Sequence, residues 1–196
     1  MNRRELLQRT ALVFGGTLLG ADSLLAKNID WDELDNLPED YSKGIGLFNK
    51  AQIKLLNEIA ETIIPATDTP GAKEAKVGQF IAVIVSDCYE PDDQQRFLKG
   101  LETLESESMK RNGKKFMKSS AMLRTDLLNE LDAEQKTFQK SKAKETPSHY
   151  FRVIKDLVVW GYFTSEIGAT KVLRFVEFPG KYETIAYKKG DHAFSG

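Results

Sequence analysis

Apolar residues recur at helical spacing through most of this chain, and this periodicity constrains the fold more than any other feature. Near residue 50, for example, Ile53, Leu56, Ala60 and Ile63 are three or four positions apart, as expected for the buried face of one helix. Sustained alternation, which is typical of half-buried strands, is not found, and Val172–Phe178 is the one strand candidate. The sequence therefore predicts an all-α fold.

Helix-start and helix-stop residues divide this periodic region into segments. Asn49 is expected to cap the first helix and Pro65 to end it. The next helix, at about residues 75–87, is apolar nearly all round, so we expect it to be buried. The remaining predictions are a helix begun by Pro91 and stopped by Gly113, a weaker pair of helices across 120–143, a helix begun by Thr146-Pro147 and ending at Phe163, a short helix after Ser165, and an irregular C-terminal tail.

The first 26 residues have the features of a targeting segment. Arg3 and Arg4 precede Leu6 and Leu7 and a short apolar stretch, Ala11–Ala21, which is the order of charged and apolar regions in an export signal. The pair resembles the twin-arginine signal, whose usual form is Ser/Thr-Arg-Arg-x-Phe-Leu-Lys. The apolar stretch is shorter than the roughly 20 residues that cross a bilayer. The segment therefore predicts export rather than a permanent membrane anchor.

The leader departs from the usual twin-arginine form at Asn2, Leu6 and Gln8. The alternative interpretations are an ordinary Sec signal and an amphipathic N-terminal helix. Ala21 and Ala26 are both candidate cleavage sites, and retention of the uncleaved leader stays open. The twin-arginine route carries proteins that have already folded. We therefore expect the twin-arginine translocase to be a partner, and a periplasmic or exported location.

Size and charge bound the rest of the chain. Of its 196 residues, about 170 would remain without the leader, which is the size of one compact domain. We divide the chain into a signal segment at 1–26, an acidic N-terminal arm at 27–47 and a helical domain at 48–196. The formal net charge is −1 and the two signs are interspersed, so no nucleic-acid partner is expected.

No constellation of catalytic or metal-ligating residues is found in the sequence. Cys88 is the single cysteine, which excludes an internal disulfide, and we expect a buried or inert thiol. The two histidines, His149 and His192, are far apart, and His149 is expected in the first turn of a helix as a surface or packing residue. The sequence therefore predicts no catalytic, cofactor or metal site on this chain.

Three segments carry a resemblance to a known family. Gly161–Thr170 (GYFTSEIGAT), Phe178–Glu183 (FPGKYE) and the loop motif Ala60–Ala72 (AETIIPATDTPGA) resemble the small-subunit family of gluconate 2-dehydrogenase, subunit 3. The resemblance covers about residues 48–183, and the leader is also usual for that family. The chain departs from the family pattern at residues 184–187, where members often have a Gly-Cys-containing strand.

The resemblance implies the function. Members of the family are small, cofactor-free partners of a large FAD-dependent dehydrogenase subunit that oxidises a sugar or polyol. Electrons often pass on to a membrane cytochrome c subunit, through which the complex is associated with the inner membrane. The small subunit supplies the export signal and helps the flavoprotein mature. We therefore expect no cofactor on this chain and FAD on its partner.

The same C-terminal motifs suggest which residues bind the partner, because aromatic side chains with a polar group are typical interface anchors. Core packing is the alternative for these aromatic residues, and Tyr162 also continues the apolar face of its helix. A stand-alone exported enzyme and a periplasmic binding domain remain alternative functions. The predicted partner-binding residues are Trp160, Tyr162, Thr164, Ser165, Glu166, Phe175, Phe178, Pro179, Gly180 and Tyr182.

Overall fold

The computed structural model describes residues 44–178, 180, 186 and 188–195. The predicted leader with Arg3, Arg4, Leu6 and Leu7, and the arm up to residue 43, lie outside the described residues. The limits of the signal segment and of the arm therefore stay predictions. Helices account for most of the described chain, which confirms the all-α fold.

Five α-helices form the body of the described chain, with short elements after the third and the fifth. The two strands pair in parallel, with Arg174 opposite Phe194 and Phe175 opposite Ser195. In chain order the elements are α1 Lys50–Ile63, α2 Val77–Cys88, α3 Pro91–Asn112, a 3₁₀ helix Phe116–Lys118, α4 Ala121–Ser141, α5 Tyr150–Phe163, a π-helix Gly168–Val172, β1 Arg174–Phe175 and β2 Phe194–Ser195.

Local chemistry sets several helix ends where the sequence predicted them. The Asn49 side chain accepts from the Gln52 backbone N–H at 3.0 Å, and the Gln52 side chain accepts from the Asn49 N–H at 2.9 Å. This reciprocal capping box satisfies two N–H groups that the first turn leaves unpaired. Pro91 is the first residue of α3, and Gly113 ends it in a left-handed conformation with φ of +67°.

Helix α5 lies at the centre of the fold. It packs against each of α1, α2, α3 and α4. Its inner face is apolar and buried, and begins with Phe151 and Ile154. Because four other helices contact α5, the direction of its outer face is set by the whole core.

The predicted bounds of three helices were wrong. Helix α2 begins at Val77 rather than near Ala75, because the preceding Lys76 has a left-handed backbone with φ of +53°. The region 120–143 is one continuous helix, α4, whose first turn is capped by Ser120. No glycine or proline interrupts residues 121–141, so nothing in the sequence forces a break there.

The start of α5 also differs from the prediction. Thr146 lies in a turn, where its N–H bonds to the Ala143 carbonyl and its own carbonyl accepts from Lys142. The cap is His149 instead, whose Nδ1 accepts from the Phe151 N–H at 3.3 Å. His149 therefore precedes the helix rather than lying in its first turn.

Ion pairs join α4 to its neighbours. Arg124 of α4 pairs with Glu58 of α1, and Lys155 of α5 pairs with Asp132 of α4 at 2.6 Å. Partial burial alone would raise the pKa of Glu58, but Lys73 and Arg124 outweigh it and hold that pKa below its ordinary value. These contacts hold α4 in place on the bundle.

Candidate partner interface

The aromatic side chains of the described residues divide between the core and the surface according to their position in the chain. Each described phenylalanine up to residue 151 is buried or half-buried, whereas those from residue 163 onward are exposed. Grouped exposed apolar side chains often mark interaction surfaces. The C-terminal part of the described chain is therefore the candidate interface. Its exposed aromatic residues are Trp160, Phe163, Phe175, Phe178 and Phe194.

The outer face of α5 changes character along its length. Its first half carries an ion pair between Arg152 and Asp156 at 3.2 Å. Its last turn carries Val159, Trp160 and Phe163, which are 40%, 50% and 38% exposed. Residues three or four apart are neighbours on a helix surface, so Phe163 lies beside the other two. The end of α5 thus presents an apolar surface where its beginning presents charges.

A ring from α2 supports Trp160. The indole and the Phe80 ring meet edge to face, with 5.2 Å between centroids and 83° between planes. Gly161 makes this approach possible, because a Cβ there would lie 2.5 Å from Phe80 Cδ1. Val83 is one turn further along α2 and is 42% exposed. We name Phe80, Val83, Val159, Trp160 and Phe163 the α2–α5 face.

The contribution of α2 to this surface is a correction to the sequence prediction. An apolar helix was expected to be buried, but Val83 is exposed and Phe80 is only partly buried. Helical periodicity could not show which side of α2 faces outward, since apolar residues occur on all sides. Contact with α5 decides it.

Tyr162 is a core residue rather than a surface anchor. It is only 2% exposed, and its hydroxyl donates to the Pro70 carbonyl at 2.5 Å. Its ring also meets the Phe163 ring edge to face at 5.2 Å. The core alternative therefore applies to Tyr162, which connects α5 to the loop between α1 and α2.

That loop, within the motif at residues 60–72, is held by one carboxylate. Glu61 accepts from the Ala66 N–H at 3.1 Å and from the Lys73 N–H at 2.8 Å, so it joins the two ends of the loop. Gly71 leaves room for the carboxylate, because a Cβ there would lie 2.5 Å from both of its oxygens. The motif thus builds a closed loop whose Pro70 carbonyl is in place for Tyr162.

The predicted residues after α5 serve the local backbone. Thr164 and Glu166 are exposed, and the Thr164 hydroxyl donates to the Trp160 carbonyl at 2.7 Å. The Ser165 hydroxyl donates to the Tyr162 carbonyl at 2.6 Å and accepts from the Gly168 N–H at 3.0 Å. Ser165 therefore caps the next helical segment, as predicted, while its neighbours border the α2–α5 face.

The remaining predicted partner-binding residues lie in β1 and the C-terminal tail. Phe175 lies in β1 and is exposed, and Phe178 is 83% exposed. Gly180 has a φ of +71°, the left-handed conformation that favours glycine. Pro179 and Tyr182 lie outside the described residues, so their predicted roles stay predictions.

Comparison with protein families gives a match over most of the described chain. The model of the family described as gluconate 2-dehydrogenase subunit 3 matches residues 50–180. The chain belongs to this family. No curated protein and no solved structure gave a match. The matched region begins with α1 and extends past the π-helix and β1, so it includes both the α2–α5 face and the loop that Glu61 closes.

Membership of the gluconate 2-dehydrogenase subunit 3 family confirms the resemblance seen in the sequence. As the family description says, such a protein is one subunit of a dehydrogenase.

Within the described ranges, no helix is both long and apolar enough to cross a membrane. Nor does that part of the chain bring three or more His, Cys, Asp or Glu residues together as a metal site. Cys88 is exposed at the end of α2, so the first alternative of the expected buried or inert thiol was wrong, and the second stays a prediction.

Proposed function

We propose that this family member is a non-catalytic small subunit of an FAD-dependent sugar or polyol dehydrogenase of the gluconate type. In this proposal it supports export and maturation of the flavoprotein subunit. FAD belongs to that large subunit, and electrons pass from it to a cytochrome c subunit. The complex then works on the periplasmic side of the inner membrane.

Family membership over residues 50–180 carries this proposal. The leader supports it, because Arg3 and Arg4 resemble the pair that the twin-arginine translocase reads. That route suits a chain that leaves the cytoplasm together with a partner already folded around FAD. The exposed aromatic residues of the candidate interface supply a surface for such a partner.

The leader offers a direct test. The full chain is co-expressed with the FAD-dependent subunit of its host, and both proteins are followed by fractionation. The double variant Arg3→Lys/Arg4→Lys should leave both proteins in the cytoplasm, because the flavoprotein depends on the leader of its partner. Arg9→Lys is the matched control, since it changes an arginine of the same segment outside the pair and should leave export intact.

The outcomes separate escort from independent export. If only the small subunit stays behind, the flavoprotein has its own route and the escort proposal is wrong.

A second assay addresses catalysis. The purified full chain should not reduce an artificial acceptor with gluconate or related polyols, whereas the co-expressed complex should. Turnover by the small subunit alone would show a stand-alone enzyme instead.

A further inference from the structure

We propose that the α2–α5 face is the docking surface for the FAD-dependent large subunit, with Trp160 as its anchor. This inference rests on the proposed function and adds the place of contact. It also assigns a role to Phe80 and Val83 of α2, which the sequence placed in the core. The α2–α5 face is thus built from two helices that pack against each other.

The exposed aromatic area of the α2–α5 face suits the centre of a protein interface. An aromatic side chain can bury roughly 150–250 Å². With the exposed fractions of Trp160 and Phe163, 50% and 38%, the exposed aromatic surface of the α2–α5 face comes to about 180 Å². A standard interface takes about 800 Å² from each partner. The α2–α5 face would thus supply the apolar centre of one side of such an interface, and the residues around it would supply the rest.

The arrangement of polar groups also fits a docking surface. Protein interfaces have an apolar centre and a polar rim. Here the apolar end of α5 is bordered on one side by the Arg152–Asp156 ion pair and on the other by the exposed Thr164 and Glu166. The five side chains that define the α2–α5 face are all uncharged, so covering them would not itself desolvate a charge.

The Trp160 side chain is already ordered in the free chain. Its ring is fixed against Phe80, and Phe80 in turn is held by close packing at Gly161. A side chain that is already ordered loses little conformational entropy on binding. Half of the indole is nevertheless exposed, which leaves a large aromatic area for the partner to cover. Pre-ordered, half-exposed tryptophans are typical binding hot spots.

A competition experiment tests the assignment. Wild-type and variant full chains with different small tags are co-expressed with limiting FAD-dependent subunit, which is then purified by its own tag. Mass spectrometry gives the ratio of the two chains bound. Trp160→Ala should be under-represented at least about 30-fold, the effect of losing a hot spot. Met122→Ala is the matched control, because Met122 is a large apolar residue, 74% exposed, on α4, and its ratio should stay within about 2-fold of one.

A second variant keeps the test independent of folding. Val83→Glu leaves Trp160 in place and puts a charge on the α2–α5 face, at a side chain that is already 42% exposed. It should also lose the competition while its melting temperature stays near that of the wild type. Equal binding of both variants would overturn the assignment and leave the proposed function standing. A flavoprotein that retains no wild-type chain would instead refute the proposed function.

A second copy of this chain is the competing occupant. The isolated full chain is therefore analysed by sedimentation. A monomer in both wild type and Trp160→Ala agrees with the proposal. A wild-type dimer that Trp160→Ala dissociates would show that the α2–α5 face joins two copies, and the proposal would be wrong.

Discussion

Replacing Glu61 with alanine should open the loop between α1 and α2 and lower the melting temperature by several degrees. The carboxylate accepts two backbone N–H groups, from Ala66 at 3.1 Å and from Lys73 at 2.8 Å. A hydrogen bond to a charged group contributes about 1.5–3 kcal/mol where water is excluded. Both bonds here are exposed, so water can replace part of each. We therefore expect a total loss of about 2 kcal/mol.

That loss corresponds to a fall of about 4–8 °C for a chain of this size. Circular dichroism during heating measures it. Glu61→Gln keeps one carbonyl oxygen as an acceptor and should lose about half as much. Glu74→Ala is the control, because it removes an exposed acid from the same loop, and it should change stability by less than about 0.5 kcal/mol.

Gly71→Ala gives an independent check on the same geometry. Its new Cβ would meet both Glu61 oxygens at 2.5 Å and the Ala66 nitrogen at 2.7 Å. The substitution should therefore cost less in the Glu61→Ala background, where two of these three atoms are gone. A coupling of about 1 kcal/mol is expected from the double-mutant cycle. If Glu61→Ala melts together with Glu74→Ala, or the cycle shows no coupling, the loop is not held in this way.

Two further perturbations follow from the helix contacts. Gly161→Ala should displace Phe80 and so change the fluorescence of Trp160. The net loss of folding free energy should be about 1 kcal/mol, because crowding costs about 1–3 kcal/mol and alanine favours the helix by about 1 kcal/mol. Unchanged emission would contradict the contact between Phe80 and Trp160. Burial lowers the pKa of His149 below its ordinary 6.5 although Glu134 opposes this. Protons then bind the unfolded chain more readily, so stability should fall as pH drops below about 6.5. His149→Asn keeps a cap without titrating, so its melting temperature should fall less than that of the wild type between about pH 7.5 and about pH 5.5.

The sequence predicted those features of the fold that depend on near neighbours. Asn49, Pro91 and Gly113 act within one turn of their own helix, so capping rules place them correctly. The start of α5 could not be placed in this way. Thr146 and Pro147 have the residue types of a helix start, but Thr146 bonds to Ala143 and Lys142 instead, and the cap falls on His149.

The candidate interface also combines features that depend on one helix with features that depend on packing between helices. The helical period that places Phe151, Ile154 and Val158 inside also places Tyr162 inside, so its burial could have been read from the sequence. The pairing of Phe80 with Trp160 could not, because it joins residues 80 positions apart and α2 is apolar on every side. Packing between helices, rather than the pattern of either helix, creates the α2–α5 face.

The central position of α5 connects folding to the proposed docking. Helix α5 contacts four other helices, and its outer face carries Trp160. Trp160 therefore points in its binding direction only when the core is assembled, so a partner that binds it selects the folded chain. Binding of this kind stabilises the folded state by mass action. On the proposed function, the flavoprotein should thus raise the melting temperature of wild type more than that of Trp160→Ala, as heating the co-expressed mixtures would show.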